Sequence, residues 1–327
     1  MSYEKIYEKY RNIGSIHSEI KKELLSTRII GMNTSELINI IENKIRVKSR
    51  EKNIQGVNDC IAFPVGISVN NCCAHWTYSD RYNDITIGKN DLVKIDFGIN
   101  NTGFIVDSAI SVLTNPENDL HTSLVEASND ALNKAISLSK PDQNINEIGC
   151  EIQEIIESYD FKPIKNLCGH QILPFKIHAG KCIPNISFNY NQRMKENEIY
   201  AIEPFVTNGN GNTYEDTDNT SHFCINYNLS KEQRELLIIT LHKNIQFTYN
   251  CIYKNFRTLP FCDRWLSEIL QEYKLDNGFN LWQNLKELKK YNVLNWYPPI
   301  YDINKDNYVS QMEHTVLIRE GSAEILT

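Results

Sequence analysis

Between Tyr3 and about Leu25 apolar residues recur every three to four positions in an otherwise polar stretch, which predicts an amphipathic helix. A second helix is predicted to run to about Val47, started by Asn33 with Glu36 three residues on, a capping-box-like pair. From Cys60 to Ile110 the period shortens to two. IAFPVGISV, LVKIDFGI and FIVDSAISV read as strands, the last two joined through INNTG as a hairpin. Helical spacing returns over Glu117 to Lys140 and Asn146 to Tyr159, with Pro141 and Asp142 as the turn between them. After Pro163 short strands resume, HAGKCI and EIYAIEPFV among them, and the run from Asn208 to Asn212 marks a turn. Residues 230–296 read as an all-helical insertion of three helices, roughly 230–254, 260–273 and 281–291, before YPPI and a last strand in QMEHTVLI. Two strand-and-helix blocks of similar size flank Lys162, as a duplicated half-domain would produce.

The hairpin is where chemistry first shows. Drawn symmetrically about a four-residue loop from Asn100 to Gly103, Ile99 faces Phe104 and Asp96 faces Asp107. Directly opposed residues of an antiparallel pair share a face, so the two carboxylates meet. The other face carries Val93, Ile95, Phe97, Ile99, Phe104, Val106, Ser108 and Ile110, an almost wholly apolar set that belongs on a core. Like charges opposed in a sheet repel, and a metal ion between them is the simplest remedy. The alternative is that one Asp caps a turn and the register slips by a residue. Further ionisable residues stand amid apolar or small neighbours in other strands: His75, His170, His178, Glu203, His222, and Glu313 beside His314. Each His alone reads as a hydrogen-bonded interior residue, but four carboxylates recurring in apolar strand centres call for pairing or a metal.

Composition acts by exclusion. With 327 residues, 41% hydrophobic and 23% charged, the chain is an ordinary globular protein of one large domain or two. A formal charge of −7 without any lysine- or arginine-rich run argues against nucleic acid and anionic membrane as partners. The nine cysteines include no CxxC pair, which argues against a zinc ribbon or disulfide framework and for reduced thiols. No stretch is apolar for the ~20 residues a membrane span needs, and no signal peptide is read, so a cytoplasmic protein is expected.

Taken in order, IAFPVGISVNNCCAHW, KIDFG, IVDSA, GHQILPFKIHAGK, YAIEPF, SHF, YPPI and MEHT resemble the methionine aminopeptidases, specifically the type II branch, over about residues 33–327. The resemblance implies an α+β pita-bread fold of two pseudo-symmetric halves around a dinuclear metal site, with the helical insertion of the type II branch. It also implies amino-terminal helices over 1–50, a catalytic domain over 51–229 and 297–327, and an insertion subdomain over 230–296. By motif, Asp96 chelates one metal, Asp107 and Glu313 bridge both, and His170 with Glu203 completes the other shell. Glu203, His75 and His178 take the catalytic roles, and His75, His178, His222, Phe63, Ile177 and Tyr297 bind the substrate. Two divalent ions, cobalt, manganese, iron or zinc, would activate a hydroxide to attack the scissile carbonyl. The implied substrate is the initiator methionine of nascent chains whose second residue is small. A monomer is implied, as is attachment of fumagillin-class epoxides at His75, with Cys73 as a competing nucleophile. The chain departs from the family at Leu173, where glycine is usual, at Cys73, and in lacking the long charged amino-terminal extension of many eukaryotic members; its ending, REGSAEILT, resembles the archaeal type. Two rivals share the fold: a prolidase or aminopeptidase P, and a non-catalytic binding relative that has lost metal ligands.

Overall fold

The computed structural model describes residues 3–189, 191–275 and 277–327. Helix α1 (Tyr3–Leu25) buries Tyr7, Tyr10, Ile13, Ile16, Ile20 and Leu24 along one face, each apolar side chain contributing roughly 1.5–3 kcal/mol of transfer energy. Helix α2 (Thr34–Glu51) adds Leu37, Ile38, Ile41 and Ile45 to the same core. Its start differs from expectation. Asn33 sits at the cap position, but its side chain makes no capping bond and accepts instead from the Thr86 hydroxyl at 2.7 Å. Asp84 caps the helix, its carboxylate taking the Ser35 N–H at 3.2 Å and the Thr34 hydroxyl at 2.6 Å. An acceptor with a full charge suits the positive helix end better than the Asn33 amide.

Strands β1 (Gly66–Val69), β3 (Leu92–Asn101) and β4 (Phe104–Leu113) form one antiparallel sheet in the order β1-β3-β4, packed on α1; β2 (Cys72–Ala74) joins a separate sheet further along the chain. The hairpin register is two residues from the symmetric expectation: Asp96 faces Ala109, and Asp107 faces Gly98. The loop is shorter than drawn because Asn100 belongs to the strand, where its buried side chain bonds Val57 N at 3.0 Å, Val57 O at 2.9 Å and Ile61 O at 3.0 Å. Thr102 and Gly103, both at positive φ (51° and 93°), close the turn. A shift of two keeps the pleat parity, so the carboxylates stay on one face as diagonal rather than direct neighbours. The opposite face is buried as expected, Val93, Ile95, Phe97, Ile99 and Val106 being completely enclosed. A Cβ on Gly103 would lie 2.2 Å from the Phe175 ring in addition to the unfavourable φ. Gly103→Ala is therefore expected to destabilise the protein by about 1–3 kcal/mol, read as a lower urea midpoint at unchanged slope.

Helices α3 (Asp119–Leu138) and α4 (Ile145–Ser158) follow, the turn between them using Asp142 at φ 65°. They pack on a five-stranded sheet ordered β17-β16-β8-β6-β7, built from β6 (Cys168–Leu173), β7 (Lys176–Pro184), β8 (Ile199–Ile202), β16 (His314–Arg319) and β17 (Ser322–Ile325). Leu124, Leu132, Ile148 and Ile152 meet Ile183, Tyr200, Ile202 and Val316 there in a second core. Short strands β5 (Lys162–Pro163), β9 (Phe205–Thr207) and β15 (Val309–Gln311) form a further sheet, and β10 (Thr213–Glu215) pairs with β14 (Ile300–Asp302), which pairs with β2. Two helix pairs, each backing a curved antiparallel sheet, make the α+β pita-bread fold.

Between β11 (His222–Ile225) and β13 (Leu294–Tyr297), which pair with each other, the helical segment differs in detail from its pattern. One predicted helix over 230–254 is two, α5 (Lys231–Ile238) and α6 (Lys243–Phe256). His242 interrupts them by capping α6, its Nδ1 accepting from Asn244 N at 3.3 Å. The segment is also not all-helical: a two-residue strand, β12 (Phe261–Cys262), adds to β11 before α7 (Asp263–Leu270) and α8 (Leu281–Lys290). Ile252, Phe256, Leu266 and Leu285 belong to the same hydrophobic cluster as α1 and α2. Arg264 and the Trp265 indole clasp buried Glu42 of α2 at 2.6 and 3.0 Å.

Candidate metal centre

Two breaks in paired strands place two glutamates. Glu203 and Pro204 separate β8 from β9, while Met312 and Glu313 separate β15 from β16; the flanking residues pair across both breaks, Ile202 with His314 and Phe205 with Gln311. Proline cannot donate to a ladder, so pairing lapses at this level and both carboxylates turn into the space above the hairpin. The Glu313 N–H donates to Ala109 O at 3.1 Å, and the Ser108 hydroxyl donates to Glu313 O, locking this break onto β4. His170, on β6, lies between Cys182 of β7 and Ala201 of β8. Its Nε2 stands 3.4 Å from Asp107 Oδ2 and 3.5 Å from Glu203 Oε1. Asp107, His170 and Glu313 offer ligand atoms that all lie within 4.8 Å of one another. Gln311 Nε2 bridges the rest, donating to Glu203 Oε2 at 3.1 Å and standing 3.5 Å from both Asp96 Oδ2 and Glu313 Oε2.

All five residues expected to hold metal therefore converge. Burial, then repulsion from Asp107, pushes the Asp96 carboxyl well above its ordinary range. Burial followed by repulsion from Asp107 and the other acids does the same for Glu203 and Glu313. Asp96 Oδ1, Asp107 Oδ1, Glu313 Oε1 and His170 Nδ1 are buried without a hydrogen-bond partner, a cost of order 1–3 kcal/mol each unless something else satisfies them. Lys21 of α1 lies behind Glu313, its Nζ 3.2 Å from Ser108 Oγ and 3.4 Å from His314 Nδ1; burial lowers it to about 8. One ammonium cannot balance four carboxylates. Oxygen-rich ligation with one imidazole and unsatisfied acceptors fits divalent cations.

The acid shifts carry a sign for stability. Carboxyls raised in the folded chain bind protons that the unfolded chain has released, so the stability they contribute is lost as pH rises through the raised values. Metal-free protein is expected to melt at a lower temperature at pH about 7.5 than at about 5.5, and a divalent ion is expected to restore the loss at the higher pH. Scanning calorimetry with and without chelator checks this.

Beside the acids opens a cavity of about 240 Å³ lined by Phe63, His75, Ile177, His178, His222 and Tyr297 together with Asp96, Asp107, His170 and Glu203. Glu313 lies behind them, 1% exposed. Gly98 explains the place of Phe63, whose ring lies 2.2 Å from where a Cβ would be, directly across from Asp107. The histidines form a cluster around Tyr297, with ring centroids 5.6 Å away for His75, 5.5 Å for His178 and 5.7 Å for His222. Burial lowers all three, His75 to about 4, so they are neutral at neutral pH. His75 has φ 66°, rare for a residue with a side chain, and its Nδ1 donates to Pro298 O at 3.2 Å. In that tautomer Nε2 carries the lone pair, so His75 offers an acceptor rather than a donor to the cavity.

Cys73 is absent from this lining. Fully buried among Phe205, Ile164 and Ile300, it faces the other side of β2 from Ala74, which does line the cavity, and burial pushes its thiol up. Leu173, 44% exposed at the end of β6, is likewise outside. The thiols that line the cavity are Cys168 and Cys182. Sequence reasoning missed these two, Gln311 and Lys21. Cys168 and Gln311 stand two residues from His170 and Glu313 respectively, a same-face signal that was available. Lys21 comes from a distant helix and left none.

Residues 8–227 match the family model described as Metallopeptidase family M24. The chain is 34% identical to Methionine aminopeptidase 2-2 of Chaetomium globosum over 330 residues, 97% of this chain and 71% of that one. Among solved structures, methionine aminopeptidase from Thermotoga maritima superposes with a TM-score of 0.65 at 18% identity, covering 98% of this chain and 95% of that one. A thermophilic Arx1 superposes at 0.79 with 14% identity, covering 98% and 90%. These two likenesses speak to the fold. With the five acidic and histidine residues brought together and the sequence match extending over nearly its whole length, the chain belongs to the M24 metallopeptidases and, among them, to the methionine aminopeptidase family.

Proposed function

We propose that this chain is a type II methionine aminopeptidase holding two divalent ions, which removes the initiator methionine when the second residue is small. The observation that carries the reading is the convergence of Asp96, Asp107, His170 and Glu203, backed by Glu313, at one wall of a cavity that Phe63, Ile177 and Tyr297 also line. Asp107 and Glu313 would bridge the ions, Asp96 would chelate one, and His170 with Glu203 would complete the other. Bound there, the ions would supply positive charge that acidifies a water and polarises the scissile carbonyl. The chain's own groups do the rest. Glu203, held by Gln311 and raised in proton affinity, accepts the proton of the attacking water and returns it to the leaving amine. Neutral His178 donates from its ring to the carbonyl oxygen, and His75 Nε2 accepts from the peptide N–H. Phe63, Ile177 and Tyr297 enclose the methionine side chain, a flexible thioether suited to an apolar, aromatic slot.

In this reading residues 1–50 are the amino-terminal segment that carries α1 and most of α2, 51–229 with 297–327 the catalytic domain, and 230–296 the branch's insertion. No helix among the described residues is long and apolar enough to cross a membrane; the enzyme is proposed to act in the cytoplasm as a monomer. Cleavage of Met-Ala-Ser, set against Ala-Pro peptides during titration with manganese, cobalt, iron or zinc, tests the activity and the metal together. A prolidase-type reading requires the opposite preference.

Epoxides of the fumagillin class are expected to alkylate His75, whose free Nε2 lone pair faces the cavity. Cys73 is turned away, so the competing nucleophile to watch is Cys182. Intact mass and peptide mapping check this: a single adduct on His75 is expected, and no adduct after prolonged incubation counts against the type II assignment.

A further inference from the structure

We propose that Cys182 is a thiol-modification site at the opening of the catalytic cavity, with Cys168 as its resolving partner, so that small-molecule disulfides switch the enzyme off. Both thiols line the cavity that holds His170 and Glu203. Cys168 stands two residues before His170 on β6, and Cys182 lies directly across from His170 on β7, so the three side chains share one sheet face. The two sulfurs are in hydrogen-bonding contact. Their exposure sets them apart from six of the other seven thiols. Cys182 is exposed and Cys168 half-exposed, whereas Cys60, Cys72, Cys73, Cys224, Cys251 and Cys262 are buried. Cys150 is the remaining half-exposed thiol and lies on α4, outside the cavity lining.

The chemistry is thiol–disulfide exchange with glutathione disulfide as oxidant. The Cys182 thiolate attacks one sulfur of glutathione disulfide; that S–S bond breaks as the Cys182–glutathione bond forms, and the released glutathione thiolate takes up the proton that Cys182 gave away. The Cys168 thiol, losing its own proton, then attacks the Cys182 sulfur and expels the second glutathione as a thiol. Two cysteine thiols are oxidised and one glutathione disulfide is reduced. In the first state a tripeptide occupies the cavity opening. In the second a disulfide ties β6 to β7 beside His170. Either state obstructs the substrate.

The test treats metal-loaded enzyme with glutathione disulfide and follows both intact mass and cleavage of Met-Ala-Ser. Wild type is expected to lose two hydrogens in mass, with Cys168 and Cys182 joined in the peptide map, and to lose activity that dithiothreitol restores. Cys168→Ser should stop at one glutathione on Cys182. Cys182→Ser and Cys182→Ala should keep their own untreated activity under the same exposure, and Cys150→Ser should respond as wild type does. Modification confined to Cys150, or equal inactivation of the Cys182 variants, overturns the site. A wild-type chain that stops at the mixed disulfide overturns the resolving role of Cys168. The inhibition readout rests on the proposed aminopeptidase reading, but the mass readout does not, so failure of one is distinguishable from failure of the other.

Discussion

Asp107→Asn and Glu313→Gln are expected to lower kcat/KM for Met-Ala-Ser by on the order of a thousandfold or more, about 4 kcal/mol of transition-state stabilisation. Each carboxylate is enclosed, 5% and 1% exposed, and each aims an unpartnered oxygen at the site. An amide keeps the shape while removing the carboxylate's whole charge and adding a donor where a cation is needed. Both ions are then held poorly, so metal content falls together with activity. Asp96→Asn is expected to differ in kind, weakening one ion and leaving the other. Because four acids repel one another here, an amide also relieves strain in the metal-free chain. The bridging variants are therefore expected to melt no lower than wild type without metal, and to gain less than wild type when metal is added. Two tightly held ions and near-normal turnover in either bridging variant would contradict the dinuclear assignment.

Peptides beginning Met-Gly, Met-Ala, Met-Ser, Met-Thr and Met-Val are expected to be cleaved, and Met-Lys and Met-Leu to resist, with specificity constants apart by roughly a hundredfold or more. In the proposed reading the cavity of about 240 Å³ would take the methionine side chain and the adjoining peptide unit, and a long second side chain would clash with its walls. A lysine there would have to bury an ammonium among the uncharged rings of His75, His178 and Tyr297, at a desolvation cost added to the clash. The comparison uses tripeptides of equal length at subsaturating concentration, so that kcat/KM is read directly. Equal constants for Met-Ala-Ser and Met-Lys-Ser would point to a broader aminopeptidase.

The parts of the site that could be read from sequence are those set by local periodicity. The hairpin's apolar face fixed which side Asp96 and Asp107 occupy, and a register error of two residues left that conclusion intact because strand parity repeats every two. The error itself came from Asn100, whose bonds to Val57 and Ile61 hold it in the ladder although its type and neighbours resemble a turn. Long-range partners were not legible. Asp84, some 50 positions along, caps α2 in place of Asn33. His242 caps α6 within a stretch whose apolar spacing continues uninterrupted. Lys21 reaches the acids from α1, and Cys73 turned out to face the core because β2 puts Ala74 on the cavity side. Motif order named the residues that converge at the acids and along the cavity, while the tautomer of His75 depended on Pro298 O, a contact no spacing rule supplies.

The most direct test of a two-ion aminopeptidase is a titration. Enzyme stripped by chelator is dialysed, a divalent ion is returned in known amounts, and bound metal per chain is measured alongside Met-Ala-Ser cleavage. No turnover in the stripped protein, recovery on addition of metal, and saturation at two ions per chain are the predicted results. Cleavage that survives chelation undiminished, or a fully active chain that never binds metal, would contradict the account.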